Sequence, residues 1–226
     1  AAATFVAGDL AFWGPAFMTK VLHMNLPVTG VAIAIITVFT GLVGTVFGGA
    51  LVDWLGGTQG KGGVRRGMLM SSLFTLCSFP FFLLAFFTSY TPLFCLFLGM
   101  GEFLIFAVTA PVYGAQLSSC PPALRNYSMA LSNLMMHLFG DVPSPAVVGL
   151  VATLTGSLRD GMLFLGIWMV LAVLCWLLSW ALTFRRSFVG FPSEEDIAAE
   201  KERRREEKEK EKEKKKHAKK EQEALV

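Results

Sequence analysis

Charge is what most of this chain lacks. Residues 1–184 hold six basic side chains (Lys20, Lys61, Arg65, Arg66, Arg125, Arg159) and five acidic ones (Asp9, Asp53, Glu102, Asp141, Asp160). Only 16% of the 226 residues are charged, where soluble domains carry about a quarter. The other 14 basic and 12 acidic residues crowd into the last 42 positions. A water-soluble domain spreads charge over its whole surface, so this body suits lipid and this tail suits water. The tail mixes both signs, so the net charge of +3 gives no sign of a nucleic-acid partner.

The residue patterns of catalysis are missing as well. The four cysteines (Cys77, Cys95, Cys120, Cys175) form no CxxC or Cys/His spacing and read as small residues of apolar segments. No Ser/His/Asp arrangement, metal-ligand cluster or P-loop occurs, which argues against an enzyme, a metal or other cofactor, and an ATP-driven pump. The sequence opens Ala-Ala-Ala-Thr without an initiator Met. Its first apolar run, marked by Asp9 and Pro15, is too long for a secretory signal. The expectation is a piece of a longer protein.

What is abundant is apolar length: 54% of residues are hydrophobic. A helix needs about 20 apolar residues to span a bilayer, and such windows fall at 3–22, 30–54, 67–88, 92–117, 126–153 and 161–184. The breaks between them have loop chemistry: residues 25–27, 56–63, 89–92, 120–122 and 156–161. Lys61, Arg65, Arg66, Arg125, Arg185 and Arg186 all fall on even loops or at the root of the tail. Lys and Arg concentrate on the cytoplasmic side, so both ends are expected inside. The expected organisation is a six-helix membrane domain (1–186) and a charged cytoplasmic tail (187–226), partly helical or disordered. In the tail, Ser193 begins a helix signal, and Glu200 with Arg204 and Glu206 with Lys210 are i,i+4 pairs.

A charge inside a bilayer needs a reason. Glu102 lies near the middle of the fourth window and Asp9 in the first; each is either a packing group or part of a substrate or proton path. Asp141 sits in Gly140-Asp141-Val142-Pro143-Ser144-Pro145, where the prolines strip backbone donors and predict a kink. There Asp141 is expected to cap or pair at the break, with His137 and Asn133 on one helix face. Gly44-xxx-Gly48 brings helices close in lipid. It continues into Gly49, Asp53 and Gly56, then Arg65 and Arg66. Asp53 is expected to accept hydrogen bonds from a neighbouring helix end, and the arginines to stay at the lipid headgroups.

That Gly-x-x-x-Asp-x-x-Gly run with its late arginines resembles the loop between helices 2 and 3, or 8 and 9, of the major facilitator superfamily. The run His137-Leu-Phe-Gly-Asp141-Val-Pro143-Ser-Pro145, with Gly149, resembles helix 11 of the spinster-like lipid transporters. Gly101-Glu102 resembles the opening of that family's tenth helix, and residues 8–15 with Trp13 its seventh. The resemblance spans roughly residues 4–184. It departs from the family at Asp9, where a small apolar residue is expected, and at Arg125, the remnant of a basic pair. It implies an all-α membrane protein, the C-terminal six-helix half of a twelve-helix transporter whose N-terminal half is missing here. In this superfamily the first and fourth helices of each half line the cavity, so Glu102, Asp9, Trp13, Phe103 and Phe106 are expected along the path. The implied activity is alternating-access transport of an amphipathic lipid, such as a lysophospholipid or a sphingoid-base phosphate, at the plasma or endolysosomal membrane. The rival readings are a six-helix channel, a half-transporter that dimerises, and a membrane scaffold whose tail recruits a partner.

Overall fold

The computed structural model describes residues 1–185, and these form helices and turns only. The charged tail, with its expected helix start at Ser193, lies outside the described residues. The α-helices are α1 (Ala2–Lys20), α2 (Leu26–Trp54), α3 (Gly60–Phe87), α4 (Thr91–Ala107), α5 (Thr109–Ser118), α6 (Arg125–Met136), α7 (Ser144–Thr155) and α8 (Leu158–Leu182). A 3-10 turn (Pro122–Leu124) leads into α6, and a π-turn (His137–Asp141) joins α6 to α7.

Among the described residues, five stretches are long and apolar enough to cross a membrane: Leu26–Trp54, Gly60–Phe87, Thr91–Ser118, Pro122–Thr155 and Leu158–Leu182. The first of the six expected windows is not among them, because Asp9, Pro15 and several small residues dilute the apolar content of α1. Its 19 residues still reach about 28 Å at about 1.5 Å each. The outer face of α2 exposes Val31, Ile35, Val38, Leu42 and Val46 at helical spacing, a surface made for hydrocarbon.

The helices start and stop for local reasons. Pro27 and Pro92 sit in the first turns of α2 and α4, where a missing N–H costs nothing. Gly156 closes α7 in the left-handed conformation (φ 71°). The Ser157 hydroxyl then caps α8 by accepting from the Asp160 N–H at 3.3 Å, so the last break is shorter than the expected 156–161.

The α2–α3 turn also departs from expectation. Residues 60–63, expected as loop, form the first turn of α3. Gly63 lies against the Thr58 main chain where a Cβ would not fit. The chain reverses at Gly56 and Gly57, both at positive φ. Arg66 folds back and donates to the Gly56 carbonyl at 2.6 Å and the Gly57 carbonyl at 3.3 Å. Arg65 donates to Thr183 Oγ1 at 3.2 Å and lies 3.6 Å over the Phe184 ring, while Lys61 reaches the Arg185 carbonyl at 2.8 Å. Of the two arginines expected at headgroups, Arg66 therefore closes the α2–α3 turn, while Arg65, with Lys61, ties down the end of α8, whose last carbonyls lack helical donors. Asp53 is exposed, and its carboxylate does not make the expected bond among the described residues.

The long fourth window divides at Val108 into α4 and α5. Pro111 has no N–H for the Ala107 carbonyl, four residues back, and its ring crowds that carbonyl. Gly44 and Gly48 seat α2 on this stretch. A Cβ on Gly44 would lie 2.5 Å from the Phe103 carbonyl oxygen, and one on Gly48 would overlap the Ala107 carbonyl. The core is built largely from aromatics and methionines: Phe17 packs between Phe86 and Phe94 at 5.6 and 5.3 Å, beside buried Met162, Leu165 and Met169.

At the proline pair the expected kink is a π-turn. The Val142 N–H bonds to His137 O, five residues back, at 3.2 Å. Pro145 deprives the Asp141 carbonyl of its donor, and the Ser144 hydroxyl replaces it at 3.0 Å. The Asp141 side chain instead pairs with His137 Nδ1 at 2.8 Å.

Candidate cleft at Glu102

Glu102 reaches the interior because α4 can approach its neighbours closely just there. A Cβ on Gly99 would touch Ile36 at 3.6 Å, and one on Gly101 would press the Phe82 ring at 3.0 Å. The carboxylate then meets two hydroxyls of α2. Thr37 Oγ1 donates to Oε1 and Thr40 Oγ1 to Oε2, each at 3.2 Å. Thr40 Oγ1 also lies 2.8 Å from the Ile36 carbonyl and 3.4 Å from the Thr37 carbonyl, so its one hydrogen is shared among three acceptors. Glu102 is 7% exposed, and what it exposes opens into a cleft of about 50 Å3. The cleft is lined by Ala7, Leu10 and Ala11 of α1, Thr37 of α2, Phe82 of α3, and Ile105 and Phe106 of α4. It is an apolar slot with one carboxylate and one lining hydroxyl.

Of the residues expected along the path, Glu102 and Phe106 are brought together here. Asp9 and Trp13 are not. On a helix, Ala7 and Ala11 share one face while Phe5, Asp9 and Trp13 share another. The second face turns to α7 and α8: Phe5 stacks on Trp168 at 4.1 Å, and Trp13 Nε1 donates to the Pro145 carbonyl at 2.9 Å. Trp13 thus braces the broken helix, with its ring against Gly149. Asp9 is completely buried, and among the described residues neither of its oxygens has a hydrogen-bond partner. Phe103 packs on Phe47 at 5.2 Å, outside the cleft. The His137–Asp141 pair and Pro143 likewise stand apart from it. Thr37 and Thr40 escaped the sequence reading, since threonine in an apolar helix usually bonds its own backbone, as Thr40 also does. Among the described residues, no group of three His, Cys, Asp or Glu side chains could hold a metal ion.

The fold is that of a known class. A crystal structure of a bacterial homolog to the human lysosomal transporter Spinster, in an inward-facing and occupied conformation, superposes with a TM-score of 0.61 at 16% identity. The match covers 81% of this chain and 47% of that one. The chain is an integral, multi-pass membrane protein with a major facilitator superfamily fold. No family model matches the sequence. Probable sphingolipid transporter spinster homolog 3 of Arabidopsis thaliana is 32% identical over 172 residues, covering 76% of this chain and 32% of its own length. Spinster homolog 2 of the same plant, also named a probable sphingolipid transporter, is 30% identical over 155 residues. The chain is a homologue of the spinster-like sphingolipid transporters, and it spans about a third of the length of these relatives.

Proposed function

We propose that this chain is the C-terminal six-helix half of a secondary transporter, and that the Glu102 cleft is its share of a central path for an amphipathic lipid. The observation that carries this reading is the cleft itself. One carboxylate, braced by two hydroxyls, sits in an otherwise apolar slot between α1, α2, α3 and α4. An apolar wall accepts an acyl chain and a lone polar group orients the head, as small-molecule sites commonly do. Relatives named as sphingolipid transporters support the substrate class. In such folds two halves rock about a site near the midplane, and the missing half would close the other side of the path. Under this reading α1 crosses the bilayer as the sixth span, and both ends of the chain are cytoplasmic, as the Lys/Arg bias requires.

Alternating exposure of the cleft is the test. With Ala11→Cys in the full-length protein freed of its native cysteines, impermeant maleimide should label from one side of the membrane without lipid and from the other during transport. Labelling from one side only, whatever the lipid, would remove the alternating-access reading.

A further inference from the structure

We infer that Asp9 is a proton-binding site separate from the Glu102 cleft, and that its proton locks α1 against α7 and α8. Asp9 is completely buried, and among the described residues neither carboxyl oxygen has a hydrogen-bond partner. A buried carboxylate without a cation or a donor is far less stable than the neutral acid, so the docked helix holds Asp9 protonated. The elements packed around α1 offer an ionised form nothing. Phe5 and Trp13, one turn to either side on the same face, are engaged with the Trp168 ring and the Pro145 carbonyl. The Trp168 indole N–H is itself buried without a partner, so it does not serve the carboxyl. On the π-turn, Asp141 pairs with His137 Nδ1. α7 has no titratable side chain. On α8, Arg159 and Asp160 stand in the first turn and Cys175 is exposed. Asp53 at the end of α2 and Tyr127 of α6 are exposed, Arg125 of α6 donates to the Leu117 carbonyl, and Lys20 is in the last turn of α1.

The seam beside Asp9 is packed through glycines. A Cβ on Gly8 would overlap Asp141 Cβ, one on Gly140 would lie 3.0 Å from Thr4 Cβ, and one on Gly149 would lie 2.9 Å from the Trp13 ring. Backbones this close leave water no way in, so the carboxyl can ionise only as α1 moves off its neighbours. Ala7 and Ala11, on another face of the same helix, are walls of the Glu102 cleft. The proton on Asp9 therefore sets how firmly one wall of the cleft is held. The seam acts in this way whatever the cleft carries.

The shut seam holds a proton that the opened one releases to water, so raising the pH favours opening. Val6, also completely buried on α1, reports it. In the full-length protein freed of its native cysteines, Val6→Cys is treated with N-ethylmaleimide in detergent, and its rate is divided by that of Asn126→Cys, an exposed position. The corrected rate should be at least about threefold higher at about pH 9 than at about pH 6, since each pH unit changes the ratio of ionised to neutral acid about tenfold. Adding Asp9→Asn, which mimics the neutral acid, should hold the rate low at both pH values. Adding Asp9→Leu should do the same, and it gives the answer if the Asn variant does not fold. Adding Glu102→Gln should leave the rise in place. Equal corrected rates at the two pH values, a rise that survives removal of the Asp9 carboxyl, or a rise lost with Glu102→Gln would each overturn the lock.

Discussion

Gly48→Ala tests how the cleft is held together. The new Cβ would lie 2.7 Å from the Ala107 carbonyl carbon and 2.8 Å from its Cα. The optimum for carbon pairs is about 3.5–4.0 Å. Neither contact is a flexible side chain, so α2 must back away from α4 by about 1 Å. Overpacking of this kind costs about 1–3 kcal/mol. Taking about 2 kcal/mol, a unit of this size should melt about 4–8 °C lower. The same displacement would stretch the 3.2 Å bonds from Thr37 and Thr40 to Glu102 beyond useful length, so lipid transport should fall with stability. Gly30→Ala is the control on the same helix. A Cβ there meets nothing within 4 Å among the described residues, and replacing a helical glycine by alanine gains about 0.5–1 kcal/mol. Melting followed by tryptophan fluorescence on the purified full-length protein reads both. Equal melting temperatures for Gly48→Ala and Gly30→Ala would refute the close-approach argument.

Three further expectations can be checked alongside. Replacing Pro143 and Pro145 together by Ala restores two backbone donors and should close the π-turn; transport should drop with insertion intact, and wild-type transport would mean the break serves packing alone. Arg65→Met removes the donor to Thr183 and the cation over Phe184; it should lower stability by about 1 kcal/mol, and an unchanged melting temperature would show the tie to α8 to be idle. A tag on Val226 should resist impermeant reagents in intact cells or organelles, and labelling from the far side would reverse the topology.

Most of the helical windows, the break at Asp141 and the Gly44/Gly48 approach were legible because each follows from apolar length or from backbone chemistry that proline and glycine carry alone. Which way a helix faces was not. In a soluble protein the polar stripe of α1 would have pointed Asp9 and Trp13 at water. In a membrane bundle both faces are apolar, and packing against α7 and α8 decided the rotation. Asp53 and Arg65 show a similar failure. The spacing located the turn between α2 and α3, but the partner of Arg65 is Thr183, 118 residues away at the C-terminal cap of α8, and no local pattern announces it. Glu102 was found because a carboxyl in that setting needs a partner. The partner threonines stayed hidden in a run of ordinary apolar-helix residues.

The central claim is that Glu102 works on the substrate rather than on the fold. It is tested most directly by the rate at which the full-length protein moves an amphipathic lipid into proteoliposomes, compared between wild type and Glu102→Gln at matched insertion. The account predicts that the variant inserts and melts like the wild type yet loses most of its transport, by at least about tenfold. A variant that inserts normally and transports at the wild-type rate would contradict it.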